Sequence, residues 1–485
     1  MYRSKSMIER IPSFVPDLDE ILGGGLPAHS TILLSGVPGS GKTILASQIA
    51  YGNANPENKA LFVSTVSEPQ ARNLQFIQGF SFFDLQKAGS SVIYEDLGPQ
   101  LLEGNGVAAL AQLEELVLQI NPAVVVVDSY RALRELSNSA QESRRSLYRL
   151  VAILTALPCT TILVGEYQPA EITTAIEATI VDGILVMDNR LMGLRDYRTL
   201  RVYKLRGSHY ISGLHSLRIT SDGITVFPRF TTPAETQSYA VSRERAKTGI
   251  AGFDSEILPG GILRGTTSLV VGDPGVGKTV TALHFLLNGI RQGEAGAYIS
   301  FQENPSQLAR IAENFGFDVP AMDQSKLAMF YTSPVELNID EHARKMVALL
   351  EKINARRVVI DSINDLEAGA RQDSDRFFNF VYSLVQWFKQ RNITAILTAE
   401  MGELFSNQLT LTGRGVSHIA DNIFLLRYTE IGGEVRKAFV VLSARGSEHS
   451  KQVREYLISE KEGPRIGPPL SHAFSGFTST IRGKK

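Results

Sequence analysis

The strongest constraint on this chain is a glycine-rich octapeptide that occurs twice. Gly36-Val37-Pro38-Gly39-Ser40-Gly41-Lys42-Thr43 and Gly272-Asp273-Pro274-Gly275-Val276-Gly277-Lys278-Thr279 both read G-x-x-x-x-G-K-[ST]. An apolar run precedes each copy (Thr31 to Ser35; Ser268 to Val271), and a helical pattern follows each (Ile44 to Ala50; Val280 to Leu287). Strand, loop and helix in that order let several backbone N–H groups and a helix N-terminus converge on a phosphate. Lys42 or Lys278 would then reach the β- and γ-phosphates, and Thr43 or Thr279 would offer a hydroxyl to Mg²⁺. The two lysines are 236 positions apart, Lys42 to Lys278, about one domain of the usual size. Two loops placed alike point to two copies of one nucleotide-binding unit.

The repetition runs beyond the loops. Leu18 to Leu26 echoes Phe253 to Ile262, and Val124-Val125-Val126-Val127-Asp128-Ser129 echoes Val358-Val359-Ile360-Asp361-Ser362. Further on, Ile180 to Ile184 matches Ile419 to Ile423, and Leu205-Arg206-Gly207-Ser208 matches Ala444-Arg445-Gly446-Ser447. Short, nearly continuous Val/Ile/Leu strands alternate with amphipathic segments such as Val107 to Ile120 and Phe377 to Phe388. That pattern predicts a mostly parallel sheet covered by helices on both faces, an α/β fold built twice. A first domain is expected over 1–230, a proline-bracketed linker over 228–247 and a second domain over 248–461. The Gly-, Ser- and Pro-rich tail over 462–485 is expected to be mobile.

Other residues complete a candidate phosphate chemistry. Asp128 and Asp361 stand at strand ends, where a carboxylate can hold Mg²⁺ directly or through water. Glu68 and Glu303 follow their loop lysines by 26 and 25 positions and are candidates to orient or deprotonate an attacking water. Lys204 and Arg206 share one face if their segment is extended, and Arg445 is the second copy's counterpart of Arg206. In a ring these cations could reach a neighbour's γ-phosphate. Each residue also has an ordinary reading: a capping aspartate, a solvated loop glutamate, surface cations at a strand end.

Charge and cysteine content narrow the classes further. With 49 basic against 50 acidic residues the net charge is −1, so no global field draws in nucleic acid. Cys159 is the only cysteine, which excludes an internal disulfide framework and fits a reducing compartment. The first ten residues lack the apolar core of a signal peptide, and no apolar run approaches the ~20 residues of a membrane helix. A cytoplasmic protein with no membrane partner is expected.

Taken together, the duplicated loops, the Gly-Gly approach to each, the Asp-Ser strands and both Arg-Gly-Ser endings resemble one family: KaiC, the double-domain RecA-like ATPase and protein kinase of bacterial circadian clocks. The stretches Asp421 to Ile431 and Val453 to Ser459 are especially similar. The resemblance covers nearly the whole chain, residues 11–460. It implies tandem RecA-like P-loop domains and a homohexameric double ring with ATP and Mg²⁺ between subunits. It also implies slow ATP hydrolysis in the first domain and phosphorylation of an adjacent Ser-Thr pair by the second. Clock or signalling proteins become possible partners.

Several residues depart from the family pattern. The Ser-Thr pair reads Ser417-His418, which makes Ser417 the candidate phosphoacceptor; the first copy has Ala178-Thr179 there. The family's paired glutamates read Ser67-Glu68 and Gln302-Glu303, so the first member is neutral in both copies. Lys437 stands where the family tends to carry arginine, and Ser443 replaces the lysine that Lys204 keeps in copy one. The first copy is therefore expected to carry most of the hydrolysis. Two other readings share the fold. One is a scaffold that uses ATP as structural glue, which Ser67 and Gln302 favour. The other is a DNA-dependent RecA-type ATPase; the balanced charge and the absence of a basic arm, zinc module or helix-turn-helix argue against it.

Overall fold

Strand β1 (Thr31–Gly36) is buried at every position, so it can only lie inside a sheet covered on both faces. The computed structural model describes residues 9–65, 70–102, 106–130, 145, 148–149, 151–154, 157–172, 176–192, 195–233, 242–368, 374–401, 418–431, 433–460 and 462–470. Contacts along the chain separate it into two compact units, Met1–Arg229 and Phe230–Lys485.

In the first unit β1 is joined by β2 (Ala60–Ser64), β3 (Val92–Asp96), β4 (Val124–Asp128), β5 (Thr160–Glu166), β6 (Gly183–Met192), β7 (Arg195–Leu205), β8 (His215–Thr220) and β9 (Gly223–Phe227). The nine strands lie in the order β9-β8-β7-β6-β1-β5-β4-β2-β3. The block from β6 to β3 is parallel. Strands β7, β8 and β9 extend it as an antiparallel meander. Alternation along the strands sorts side chains to two faces. Ile32, Leu34, Val124 and Val126 pack with Leu45, Ala46 and Ile49 of helix α1 (Lys42–Asn53). Leu33, Val125 and Val127 pack with Leu110, Leu113 and Val117 of α2 (Gly106–Ile120).

The second unit repeats this plan strand for strand. Its members are β10 (Thr267–Gly272), β11 (Gly296–Ser300), β12 (Leu327–Tyr331), β13 (Arg357–Asp361), β14 (Thr394–Glu400), β15 (Asn422–Ile431), β16 (Glu434–Ala444), β17 (Arg454–Ser459) and β18 (Gly463–Pro469). They lie in the order β12-β11-β13-β14-β10-β15-β16-β17-β18. That is the first order read from the other edge. One face packs on α3 (Lys278–Arg291), through Phe285 and Leu286. The other packs on α4 (Ile339–Lys352) and α5 (Ser374–Gln390), through Met346, Leu350, Phe380 and Phe388.

The first part of the expected tail departs from expectation. Gly463 to Pro469, expected to be mobile, forms β18 at the sheet edge against β17. An edge strand tolerates Pro464, Pro468 and Pro469 because one side of it needs no donors. Gly463 takes φ 77°, and a Cβ there would lie 2.3 Å from the His284 ring. In the expected linker, Phe230 stacks edge-on against Phe380 with ring centroids 5.9 Å apart. Thr232 Oγ1 lies 2.9 Å from Ser383 Oγ, and Arg245–Ala246 pairs with Ile262–Leu263.

Candidate nucleotide sites

Each phosphate loop leaves the C-terminal end of the central strand of its sheet, where open α/β sheets place ligands. Helices α1 and α3 start at Lys42 and Lys278, and the preceding Gly41 and Gly277 hold φ 101° and 119°. Only glycine fits there. A Cβ on Gly41 would lie 2.8 Å from Ile219 Cδ1, and one on Gly277 2.5 Å from Ile458 Cδ1. Neither glycine supplies a side-chain cap, so no side chain competes for the first-turn amides at these positions. Val276 is fully buried, so it can serve a nucleotide only through its backbone, and Ser40 Oγ donates to Val37 O at 2.7 Å.

The lysines are held ready by their own loops. Lys42 Nζ donates to Val37 O at 2.9 Å. Lys278 Nζ donates to Gly272 O and Asp273 O, both at 3.0 Å. Burial pushes both amines below their ordinary value, against the pull of Glu166 and Asp128 in the first copy and of Glu400, Asp361 and Asp273 in the second. An ammonium short of solvent and hydrogen-bonded to neutral carbonyls is primed for an anionic partner.

The threonine–aspartate pairs come together from distant parts of the chain. Thr43 Oγ1 donates to Asp128 Oδ2 at 2.7 Å, and Thr279 Oγ1 donates to Asp361 Oδ2 at 2.8 Å. A hydroxyl and a carboxylate beside a phosphate cradle are the hard-oxygen donors Mg²⁺ takes, so the residues fit that ion. In the second copy Glu303 N donates to Ser300 Oγ at 3.2 Å. Burial and the nearby Asp361 charge push the Glu303 carboxyl above the usual carboxylate range. Gln302 Nε2 donates instead to Asp365 Oδ2 at 3.3 Å. Glu68, Ser67 and Ser417 lie outside the described residues.

The other candidate cations sit elsewhere. Ile32 of β1 stands beside Gly183, whereas Gly36 stands beside Met187. Leu205 pairs with Gly183, so Lys204 and Arg206 flank the end of the sheet remote from their own loop. Four strand residues separate the two levels, roughly 13 Å. Lys204 Nζ donates to Ala178 O and Val181 O at 3.0 and 2.7 Å, and burial followed by the Arg206 charge lowers its pKa. Arg206 pairs with Asp182 at 3.2 Å. Arg445 is placed likewise in the second unit, donating to His418 O at 3.1 Å, while Asp421 there pairs with Lys389 at 2.8 Å.

Four residues near the loops escaped sequence reasoning as site residues. Arg198 donates to Gly39 O at 3.3 Å, and Lys437, noted only as a departure, donates to Gly275 O at 3.4 Å from the matching register position. Tyr298 and Thr398 both donate to Asp361. Laying the two copies over each other residue by residue would have exposed the last pair, because Phe62 and Val164 stand opposite them.

Two doubly wound sheets, each with a complete lysine–threonine–aspartate phosphate loop at its switch point, define a tandem RecA-like P-loop nucleoside triphosphatase. The family model described as "ATPase: KaiC" matches residues 11–230 and 246–471. The chain belongs to the KaiC ATPase family. It is 31% identical over 490 residues to the circadian clock oscillator protein KaiC of Picosynechococcus sp., covering 98% of this chain and 92% of that protein. It is 31% identical over 491 residues to the circadian clock oscillator protein KaiC 1 of Synechocystis sp., and 30% over 491 residues to KaiC of Synechococcus elongatus, with the same coverage in both. Among the described residues, no helix is long and apolar enough to cross a membrane.

Proposed function

We propose that this chain is a Mg²⁺-dependent ATPase working in the cytoplasm as a homohexameric double ring, with ATP between subunits in both rings. The observation that carries the reading is the separation of parts within each unit. The loop, its lysine and its aspartate gather at one end of the sheet, while Lys204 and Arg206, or Arg445, flank the other. Cations so placed cannot serve the phosphate of their own loop, but in a head-to-tail ring they face the loop of the next subunit. Such a cation would stabilise charge on the transferring phosphoryl group, typically a 10³–10⁵-fold effect.

In the first ring Lys42 binds the β- and γ-phosphates of the substrate, and Thr43 and Asp128 are the residues that would hold Mg²⁺. The ion's contribution is to neutralise phosphate charge. Glu68 orients water for attack on the γ-phosphorus as the bond to the ADP oxygen breaks. In the second ring Ser417 of a neighbouring subunit is the acceptor, and Glu303, with its raised pKa, is the base that takes the hydroxyl proton. Gln302 cannot take a proton, so Glu303 does alone what the family's glutamate pair does; phosphotransfer is slower for it, and most turnover belongs to the first ring. The relatives' oscillator function favours a timing or signalling role with protein partners of that kind.

Subunit mixing tests the shared site. Lys42→Ala and Arg206→Ala proteins should each lose most of the ATPase alone, and hexamers formed from a mixture should recover part of the loss, because some interfaces join an intact first-ring loop to an intact arginine. Mixed hexamers that show no recovery would sink the reading.

A further inference from the structure

Gln302 is exposed, yet its amide has a fixed sense. Nε2 donates to Asp365 Oδ2 at 3.3 Å. An ionised carboxylate only accepts, so the N–H₂ of Gln302 must face Asp365 and its oxygen must point away. Asp365 lies in the short helix Ile363–Ala368 and also caps it. The same Oδ2 accepts from Ser362 Oγ at 2.7 Å and from Ser362 N at 3.4 Å. Capping accounts for those two bonds. It does not account for Gln302, which arrives from another strand end.

The turn that carries Asp365 is tied into the phosphate end of the second sheet. Ser300 and Asp361 stand side by side at the ends of β11 and β13. Asn364 Oδ1 accepts from Glu400 N at 2.8 Å, at the end of β14, and Glu400 Oε1 lies 4.0 Å from Lys278 Nζ. After burial and the Asp361 charge, the Asp365 and Glu400 charges also push the Glu303 carboxyl upward. The acid occurs where the amide does. Asp361-Ser362-Ile363-Asn364-Asp365 corresponds to Asp128-Ser129-Tyr130-Arg131-Ala132, so the copy with Gln302 has Asp365 and the copy with Ser67 has alanine. Ser67 and Ala132 lie outside the described residues, so this contrast is one of residue type.

We infer that Asp365 is a positioning residue for phosphotransfer in the second ring: it draws the Gln302 N–H₂ away from Glu303 and sets a second negative charge beside that base. The inference rests on the reading above, with Glu303 as base and Ser417 as acceptor. In that step Ser417 Oγ bonds to the γ-phosphorus while the bond from phosphorus to the bridging oxygen breaks, its electron pair leaving on ADP. The hydroxyl proton passes to Glu303. An amide donor on the Glu303 carboxylate would hold a lone pair and make it a poorer acceptor for that proton; a neighbouring like charge does the reverse.

Asp365→Asn tests this without removing the cap. Its amide oxygen can accept from Ser362 as the carboxylate does, but the charge is gone and an N–H₂ now faces Gln302. In single turnovers at saturating Mg-ATP, full-length Asp365→Asn hexamers should phosphorylate Ser417 about three- to tenfold more slowly, the worth of one hydrogen bond. The ATP concentration giving half the maximal rate should not change. Gln302→Glu in that background returns the charge to the side of Glu303 and should restore the rate. The same change in otherwise wild-type protein, where Asp365 already supplies the charge, should bring no gain. An unchanged rate in Asp365→Asn, or no restoration in the double variant, would overturn the inference alone. So would an equal gain from Gln302→Glu in both backgrounds, which would make Glu at 302 an independent base. Gln302→Glu alone alters an exposed side chain, so a gain there counts against the inference even if Asp365→Asn does not assemble. Wild-type protein that hydrolyses ATP and leaves Ser417 unmodified would overturn it together with the Ser417 reading.

Discussion

Replacing Lys278 with Met should weaken nucleotide binding at the second loop while leaving the nucleotide-free fold nearly as stable as before. The residue is only 7% exposed, with its Nζ on two loop carbonyls at 3.0 Å and Glu400 Oε1 4.0 Å away. Methionine keeps the apolar stem and removes the charge. On the protein side two effects oppose each other. Bonds from a charged donor contribute about 1.5–3 kcal/mol each, and keeping an ammonium from water costs several kcal/mol. The net change in unfolding free energy should therefore fall within about 1 kcal/mol of zero. On the ligand side nothing offsets the loss. A single charge-assisted phosphate bond of about 1.5–3 kcal/mol corresponds to roughly 10–150-fold weaker binding. Urea unfolding without nucleotide measures the first quantity, and titration with a fluorescent ATP analogue the second. A variant destabilised by more than about 3 kcal/mol that still binds ATP normally would show the lysine to be a structural brace and refute the argument.

Other expectations follow from single contacts. Burial opposes ionisation of Glu294, but hydrogen bonds from Arg357 and Arg264 outweigh it and bring its carboxyl from 4.5 down to about 2. A depressed carboxylate stabilises the fold above its unfolded pKa and ceases to as pH falls through the folded value. The second unit should thus lose up to ~3 kcal/mol, less with solvent screening, between pH 4.5 and about 2; acid unfolding of Glu294→Gln should lack that slope. Gly463→Ala must hold φ 77° and clear the His284 ring, so it should destabilise the second unit by about 2–5 kcal/mol in urea melts. Phosphopeptide mass spectrometry after incubation with Mg-ATP should find phosphate on Ser417; an unmodified Ser417 in an actively hydrolysing sample would remove it as the acceptor.

Much of the architecture was legible because it follows from local chemistry. The glycine pattern requires a left-handed residue before each helix, the four valines before Asp128 need cover on both faces, and the repeated landmarks demand one topology twice. The β18 strand was not legible, since three prolines and two glycines in seven residues look like a tail until an edge position relieves the prolines of donating. The packing of Phe230 on Phe380 was hidden for a related reason: the segment reads as polar linker until a partner surface is present.

The sequence by itself determined that Lys42, Thr43 and Asp128 form one chemical set and Lys278, Thr279 and Asp361 another, because only certain residue types at certain spacings can cradle phosphate beside a metal. Tertiary structure alone decided which side chains gather at which end of each sheet. It put Lys204, Arg206 and Arg445 on the far side from their own loops, and it brought Tyr298 and Thr398 onto Asp361 from 63 and 37 positions away. Hydrogen bonds act over about 3 Å. No linear pattern encodes such proximity until parallel strands set in register carry distant residues to the same level of the sheet.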